Sequence, residues 1–133
     1  MANLTVVASK VRPVSIIEQE ISGAGATITA GQVTRYDTAG KSVLALATTA
    51  ANARANGIAI NGTAETGMQP TIVRKGIIDL GDALDALAYG ADVFLSDTAG
   101  TLSDTAGTSS KVIGTVVPGY ASVTPDKLLR VDL

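Results

Sequence analysis

An internal repeat is the sequence feature that most constrains how this chain can fold. The tetrad Asp-Thr-Ala-Gly occurs at residues 37–40 and again at residues 97–100, each time after a glycine and a short run of β-forming residues. Gly31 opens the first copy and Gly90 opens the second, 59 positions later, whereas the two tetrads are 60 positions apart. The second copy therefore contains one inserted residue between its glycine and its tetrad. A repeat of this kind predicts two related units that bury a common core, because neither unit buries its apolar face alone.

Two later pairs of stretches extend the repeat. They are residues 57–60 with 114–117 and residues 71–74 with 127–130. The second pair makes Arg74 and Arg130 equivalent, and both are predicted to close a strand at the surface. Each copy therefore predicts a strand, a turn, a strand, a small polar loop, a strand, a turn and a strand.

The repeat predicts an all-β fold, a small β-sandwich or barrel-like domain over residues 23–133 with half-repeats at about 30–76 and 89–133. Only 3% of the residues are aromatic, so the core must be built from aliphatic side chains. Alternation along the strands selects the predicted core residues. They are Val33, Val43, Leu46, Ile58, Ile60, Ile72, Val93, Leu95, Ile113, Val116 and Leu129.

One short helix is predicted over residues 48–56. Thr48 or Thr49 supplies an N-cap, four alanines favour the helical conformation and Gly57 supplies a stop. The segment has little apolar face, so we expect it to cover one end of a sheet.

Residues 1–22 lie outside the repeat and carry too many apolar side chains for a solvated tail. Pro13 restricts its neighbour to extended conformations. We therefore predict an extended N-terminal arm that buries its apolar side chains on a partner; the alternative is an ordinary first strand of the same domain. The residues predicted to bind the partner are Val6, Val7, Val11, Pro13, Val14, Ile16 and Ile17.

Composition excludes several classes of function. The chain has no cysteine, histidine or tryptophan, which excludes disulfides and every mechanism that needs a thiolate or an imidazole. The net charge is −2 and the basic residues are scattered singly, so no basic footprint for nucleic acid exists. No apolar stretch approaches the ~20 residues of a membrane span. The first residues do not resemble a secretory signal, so we expect synthesis and retention in the cytoplasm.

No group of residues predicts a catalytic, cofactor or metal site, and we predict that the protein is not an enzyme. Asp37 and Asp97 lie in tetrads of the kind found in aspartic proteases, where two aspartates share one proton. The polar residues after each tetrad instead favour turns. Asp79, Asp82 and Asp85 form a loose calcium candidate that does not match an EF-hand loop, so a solvated surface is the default interpretation.

The glycine-turned strands of both copies resemble those of a known family. Residues 90–95 (Gly-Ala-Asp-Val-Phe-Leu), the tetrad at 97–100, residues 112–117 (Val-Ile-Gly-Thr-Val-Val) and residues 128–131 (Leu-Leu-Arg-Val) carry the resemblance. Together with the first copy, they are similar to the small head-decoration (capsid cement) proteins of tailed bacteriophages. The resemblance implies a β-sandwich or barrel-like domain on the outer face of an assembled capsid, a homotrimer, and an N-terminal arm that reaches across neighbouring capsid subunits.

The resemblance implies a structural virion protein, made in the host cytoplasm, that binds the major capsid protein and stabilises the assembled capsid. No nucleic acid, membrane or cofactor is expected to take part. The alternative function is a β-sandwich binding module of a virion fibre that contacts a cell surface. Such a module uses exposed aromatic rings to stack on sugars, and the chain has only three tyrosines and one phenylalanine.

Overall fold

The computed structural model describes residues 2–61, 65–119 and 126–133. These residues form nine strands and one 3-10 turn at Ala8–Lys10. The strands are β1 (Arg12–Ile21), β2 (Val33–Tyr36), β3 (Ser42–Leu44), β4 (Ala55–Ala59), β5 (Thr71–Asp79), β6 (Asp92–Leu95), β7 (Leu102–Ser103), β8 (Val112–Pro118) and β9 (Lys127–Asp132). They form one antiparallel sheet in the order β3-β2-β4-β5-β9-β8-β6-β7, with β1 paired to β5. The sheet curls into a half-barrel, which confirms the predicted all-β, barrel-like fold.

Strand β5 joins the two halves of the sheet. Ile72 and Val73 pair with β4, and residues 75–78 pair with β9. The same residues also pair with β1, from Arg12 opposite Asp79 to Ile21 opposite Thr71. A strand has only two edges, so β1 occupies the edge of β5 that β4 and β9 leave free.

The two halves of the sheet have the same pairing and the same irregularity. Thr34 of β2 faces Gly57 of β4, and Val93 of β6 faces Gly114 of β8; a register shift follows each pair immediately. A Cβ atom on Gly57 would lie 2.5 Å from a carbonyl oxygen of β5, and one on Gly114 would lie 2.1 Å from a carbonyl oxygen of β9. Both glycines therefore allow a close approach of two backbones at matching places.

The equivalence of Arg74 and Arg130 is wrong by one residue. In the first half Ile58 pairs with Val73, and in the second half Thr115 pairs with Arg130. Arg130 therefore corresponds to Val73, because pairing with β4 and β8 sets the register. A shift of one residue exchanges the two faces of a strand, so the shared arginine did not identify equivalent positions.

The helix predicted over residues 48–56 is wrong. The segment is a series of turns, with a single helical bond from the N–H of Ala53 to the carbonyl of Thr49 at 3.0 Å. The Thr49 hydroxyl accepts the N–H of Asn52 at 3.2 Å, as an N-cap does, but β4 begins at Ala55. One hydrogen bond does not offset the free-energy cost of nucleating a helix. The last residues of the predicted helix belong to strand β4 instead.

The main core lies inside the curled sheet and contains most of the predicted core residues. Val43, Leu46 and Ile60 are only half-buried, whereas the other eight predicted residues are buried. The largest buried side chains that the prediction missed are Ile28, Val73, Ile78, Leu80, Leu84 and Leu102. A second, small cluster forms where Ala24 and Ile28 pack on Ala59.

Candidate partner-binding surface

Residues 2–4 cover the free edge of β7. The N–H of Leu4 donates to the carbonyl of Leu102 at 2.9 Å, and Asn3 forms an isolated bridge with Ser103. Ala2 and Asp104 exchange two hydrogen bonds, of 2.9 and 3.1 Å. The beginning of the predicted arm is thus bound to its own domain, and it protects an edge that would otherwise be open to pairing.

Two of the predicted anchor residues point into the domain. Val11 is only 8% exposed and belongs to the main core, and Val6 packs against that core from the surface. A Cβ atom on Gly31 would lie 2.5 Å from Val6 Cγ1, so the glycine makes room for this valine. Val6 and Val11 are therefore used within the chain.

The remaining predicted anchor residues are exposed on or beside β1. Ile17 is 77% exposed, the highest value among the exposed large apolar side chains of the described residues. The other exposed members are Val7, Pro13, Val14 and Ile16, and Ile21 at the end of the strand is exposed as well. Val7 lies outside β1, whereas Pro13, Val14, Ile16, Ile17 and Ile21 lie on this strand, which β5 pairs along its whole length; we refer to these five residues as the apolar strip.

Two irregularities of β1 set the direction of Val14 and Ile17. The register skips Val14, which lies between Pro13 and Ser15, and skips Ile17, which lies between Ile16 and Glu18. Such bulges bend a strand and re-aim its side chains. Alternation alone could not have predicted this arrangement, because each bulge breaks the period of two.

Val14 and Ile17 lie on either side of Ile77, on the outer face of the sheet. A shallow cavity of about 350 Å³ is lined by Ile17, Ile77 and Arg130 together with Lys75 and Asp132. A second cavity, of about 300 Å³, is lined by Val14, Ile77 and Leu128 among others. We refer to the first cavity, which Gly76 and Val131 also line, as the Ile77 groove.

Most of the charged side chains around the strip are paired, whereas Arg12 and Arg130 form no ion pair within the described residues. Arg74 lies 3.6 Å from Glu18 and 3.7 Å from a carboxylate oxygen of Glu20. Lys75 Nζ lies 3.4 Å from an oxygen of Asp132. Arg130 donates to the hydroxyl of Thr115 at 3.2 Å, but within the described residues no carboxylate lies within 4.0 Å of it.

The C-terminal end of β1 is tied to β2. The hydroxyl of Tyr36 donates a hydrogen bond to Glu20, which also lies beside Arg74. Partial burial raises the pKa of Tyr36, and the bond to Glu20 raises it further, so the phenol stays protonated as the donor. This contact fixes the strand that presents Ile17 and Ile21.

Asp37 is held by its own loop, whereas Asp97 is held by the loop that follows β7. Asp37 Oδ1 accepts the N–H groups of Ala39 and Lys41, both at 2.9 Å. Asp97 accepts the N–H of Thr108 at 2.9 Å and its hydroxyl at 2.7 Å, and these bonds lower the pKa of Asp97. A pair that shares a proton raises the pKa of one carboxyl group instead. The bonds of Asp37 fit the predicted turn, whereas Asp97 does not bind an N–H group two residues on but binds Thr108.

The three aspartates of the calcium candidate line one cavity of about 470 Å³ together with Tyr89, Asp126 and Lys127. Asp79 Oδ1 accepts the N–H of Gly81 at 2.8 Å, and Asp82 lies 3.3 Å from Lys10. In the described part of the chain, no group of three or more histidine, cysteine, aspartate or glutamate side chains converges as metal ligands would.

No family model, curated protein or solved structure matches the chain. Within residues 2–61, 65–119 and 126–133, no helix has the length and apolar character needed to cross a membrane.

Proposed function

We propose that this chain is a structural virion protein that binds the outer surface of an assembled phage capsid and stabilises the capsid. The observation that carries the proposal is the strip of exposed apolar side chains on β1, with Ile17 77% exposed. Val14 and Ile17 of this strip both lie beside Ile77, and exposed apolar side chains that lie close together mark a site of interaction. The resemblance of the two repeats to head-decoration proteins supplies the kind of partner, the major capsid protein.

The rigidity of the strip supports an anchoring role. Burial of a fully exposed aliphatic side chain contributes about 1.5–3 kcal/mol. Val14, Ile17 and Ile21 are 45%, 77% and 59% exposed, so complete burial of each would contribute a corresponding fraction of that value. Association costs offset part of this gain, and ordering a flexible segment is one of those costs. Because β1 is already paired with β5 along its length, little of the strand remains to be ordered.

A homotrimer is the assembly that the resemblance supports. Three copies joined to one another would present three strips to the capsid surface. Their binding would then be multivalent, and each contact after the first would form at a high effective concentration. Sedimentation equilibrium at micromolar concentration tests this assembly, and a strict monomer in the presence and absence of capsid shells would contradict it.

Cosedimentation tests the proposed function. Purified protein is mixed with expanded shells assembled from the major capsid protein that is encoded with it, and the shells are pelleted. We expect saturable binding and a higher melting temperature of the decorated shells. Failure of the protein to sediment with the shells would overturn the proposal. Binding to host-surface glycans without binding to shells would favour the virion-fibre alternative.

One observation weighs against that alternative. Tyr36 and Tyr89 are exposed, and each already makes a contact within the chain. The Tyr36 hydroxyl is bound to Glu20, and Lys127 Nζ lies 5.3 Å from the centroid of the Tyr89 ring.

A further inference from the structure

We infer that the Ile77 groove binds an extended segment of the major capsid protein that carries an apolar side chain next to a carboxylate. The apolar side chain packs on Ile17 and Ile77, and the carboxylate pairs with Arg130. The inference rests on the proposed function and deepens it, because it names the contact point on this chain and the chemistry of the segment that fills it.

The sheet register places the residues of the groove on one face. Ser15 of β1, Ile77 of β5, Arg130 of β9 and Thr115 of β8 are successive partners across four strands. Side chains of directly paired residues lie on the same face of a sheet. Ile17, aimed by its bulge, forms the wall of the groove beside this row.

The groove has room for a large apolar side chain. Its volume is about 350 Å³, and an apolar cavity of about 150 Å³ already holds a group of the size of benzene. Ile17 and Ile77 offer apolar contact, and Lys75, Arg130 and Asp132 add charged groups at the same place. Apolar contact supplies affinity and a few placed polar groups fix the orientation of what binds.

The charges of the groove select a carboxylate. Asp132 pairs with Lys75, so these two charges offset one another. Among the described residues no carboxylate lies within 4.0 Å of Arg130, and its guanidinium group donates to the neutral Thr115 hydroxyl. A guanidinium group binds a carboxylate through two parallel hydrogen bonds, and arginine is enriched among the residues that dominate binding energy.

The strand β1 favours this side-chain contact over the addition of a further strand. Its register shifts between Pro13 and Ser15, between Ile16 and Glu18, and between Glu18 and Gln19. Bulges, proline and charged side chains on an edge strand disrupt the regular spacing of N–H and C=O groups that another strand requires. The segment of the partner is therefore expected to lie on the face of the sheet.

Paired substitutions test the groove in binding to capsid shells. Ile17→Ser removes the apolar wall, and Arg130→Gln removes the charge; both side chains are exposed, so the fold is expected to be retained. The matched controls are Met68→Ser and Arg54→Gln, which alter an exposed methionine and an exposed arginine outside the groove. We expect at least tenfold weaker binding of each groove variant and unchanged binding of both controls.

Shell binding measured over a series of salt concentrations, and with the variant Arg130→Lys, separates the effect of the Arg130 charge from the effect of the shape of its guanidinium group. Binding of the wild-type protein should weaken as ionic strength rises, and Arg130→Gln should reduce that dependence, because exposed charges are screened by salt. Arg130→Lys should retain part of the affinity, since it keeps the charge without the planar fork.

The outcomes distinguish the two proposals. If the wild-type protein does not bind shells, the proposed function fails. If the wild-type protein binds shells and both groove variants bind as tightly as their controls, the groove inference alone is wrong. If Ile17→Ser dissociates the oligomer in the absence of shells, the groove is a contact between copies of this chain, which also overturns the inference.

Discussion

Gly76 lies directly opposite Ile16 across β5 and β1, and a Cβ atom at Gly76 would lie 2.2 Å from the carbonyl oxygen of Ser15. Its φ of +150° is also a conformation that residues with a side chain rarely adopt. The two backbones can approach so closely only because this residue has no side chain. The attachment of β1, and with it the position of the apolar strip, depends on this glycine.

Replacing Gly76 with alanine should therefore loosen β1. We expect Gly76→Ala to lower the free energy of unfolding by about 2 kcal/mol, since the strained φ and the clash act together. Urea unfolding measures the loss, and amide hydrogen exchange should locate it in β1. The matched control is Gly23→Ala, where a Cβ atom would meet nothing within 4 Å. Equal stability of both variants would contradict this account.

The matching glycines of the two halves provide a second prediction. Gly57→Ala and Gly114→Ala each place a methyl group against a carbonyl oxygen of the neighbouring strand. We expect each substitution to destabilise the protein by about 1–3 kcal/mol, the usual cost of overpacking. Thermal unfolding of the two variants side by side checks the equivalence. A neutral effect at one glycine and a severe effect at the other would count against two structurally related halves.

Local turn chemistry was predictable from the sequence, but its exact residues were not. In the first tetrad Asp37 accepts the N–H of Ala39, as the turn interpretation predicts. In the second copy the corresponding acceptor is the hydroxyl of Ser96, which accepts the N–H of Thr98 at 3.0 Å. The inserted residue moves Asp97 one place along, and its carboxylate binds Thr108 across a different loop. The two copies therefore share the same four residues, but these residues do not occupy equivalent positions in the fold.

Long-range packing explains the other differences between the burial predicted from the sequence and the burial found in the structure. Leu80 and Leu84 are buried although residues 80–87 form no regular element, so no periodicity marks them in the sequence. The sequence marks Val11 and the apolar residues of β1 as one group, yet Val11 is buried before β1 begins, whereas Ile17 is exposed at a bulge of that strand. Alternation identifies a face only where a strand is regular.

The bonds from Thr108 to Asp97 predict a dependence of stability on pH. They lower the pKa of Asp97 in the folded protein, so its charged form stabilises the fold above the pKa of the unfolded chain. The unfolded-state pKa of an aspartate is about 4. The stabilising contribution is therefore lost as the pH falls from there through the lower pKa that Asp97 has in the folded protein. Asp97→Asn should therefore make the acid limb of a urea-unfolding series shallower. Asp92→Asn, at an exposed aspartate of β6, is the control and should leave that limb unchanged.

The opposite environments of Val11 and Ile17 give the last prediction. Val11 is 8% exposed and packs in the main core, whereas Ile17 is 77% exposed. Val11→Ala removes two buried carbon atoms and should cost about 2 kcal/mol of stability. Ile17→Ala should change stability by less than about 0.5 kcal/mol, as is usual for surface substitutions. Chemical denaturation of both variants measures the difference. If residues 1–22 were a free arm, neither substitution would change the stability. If they belong to the domain, Val11→Ala lowers the stability and Ile17→Ala does not.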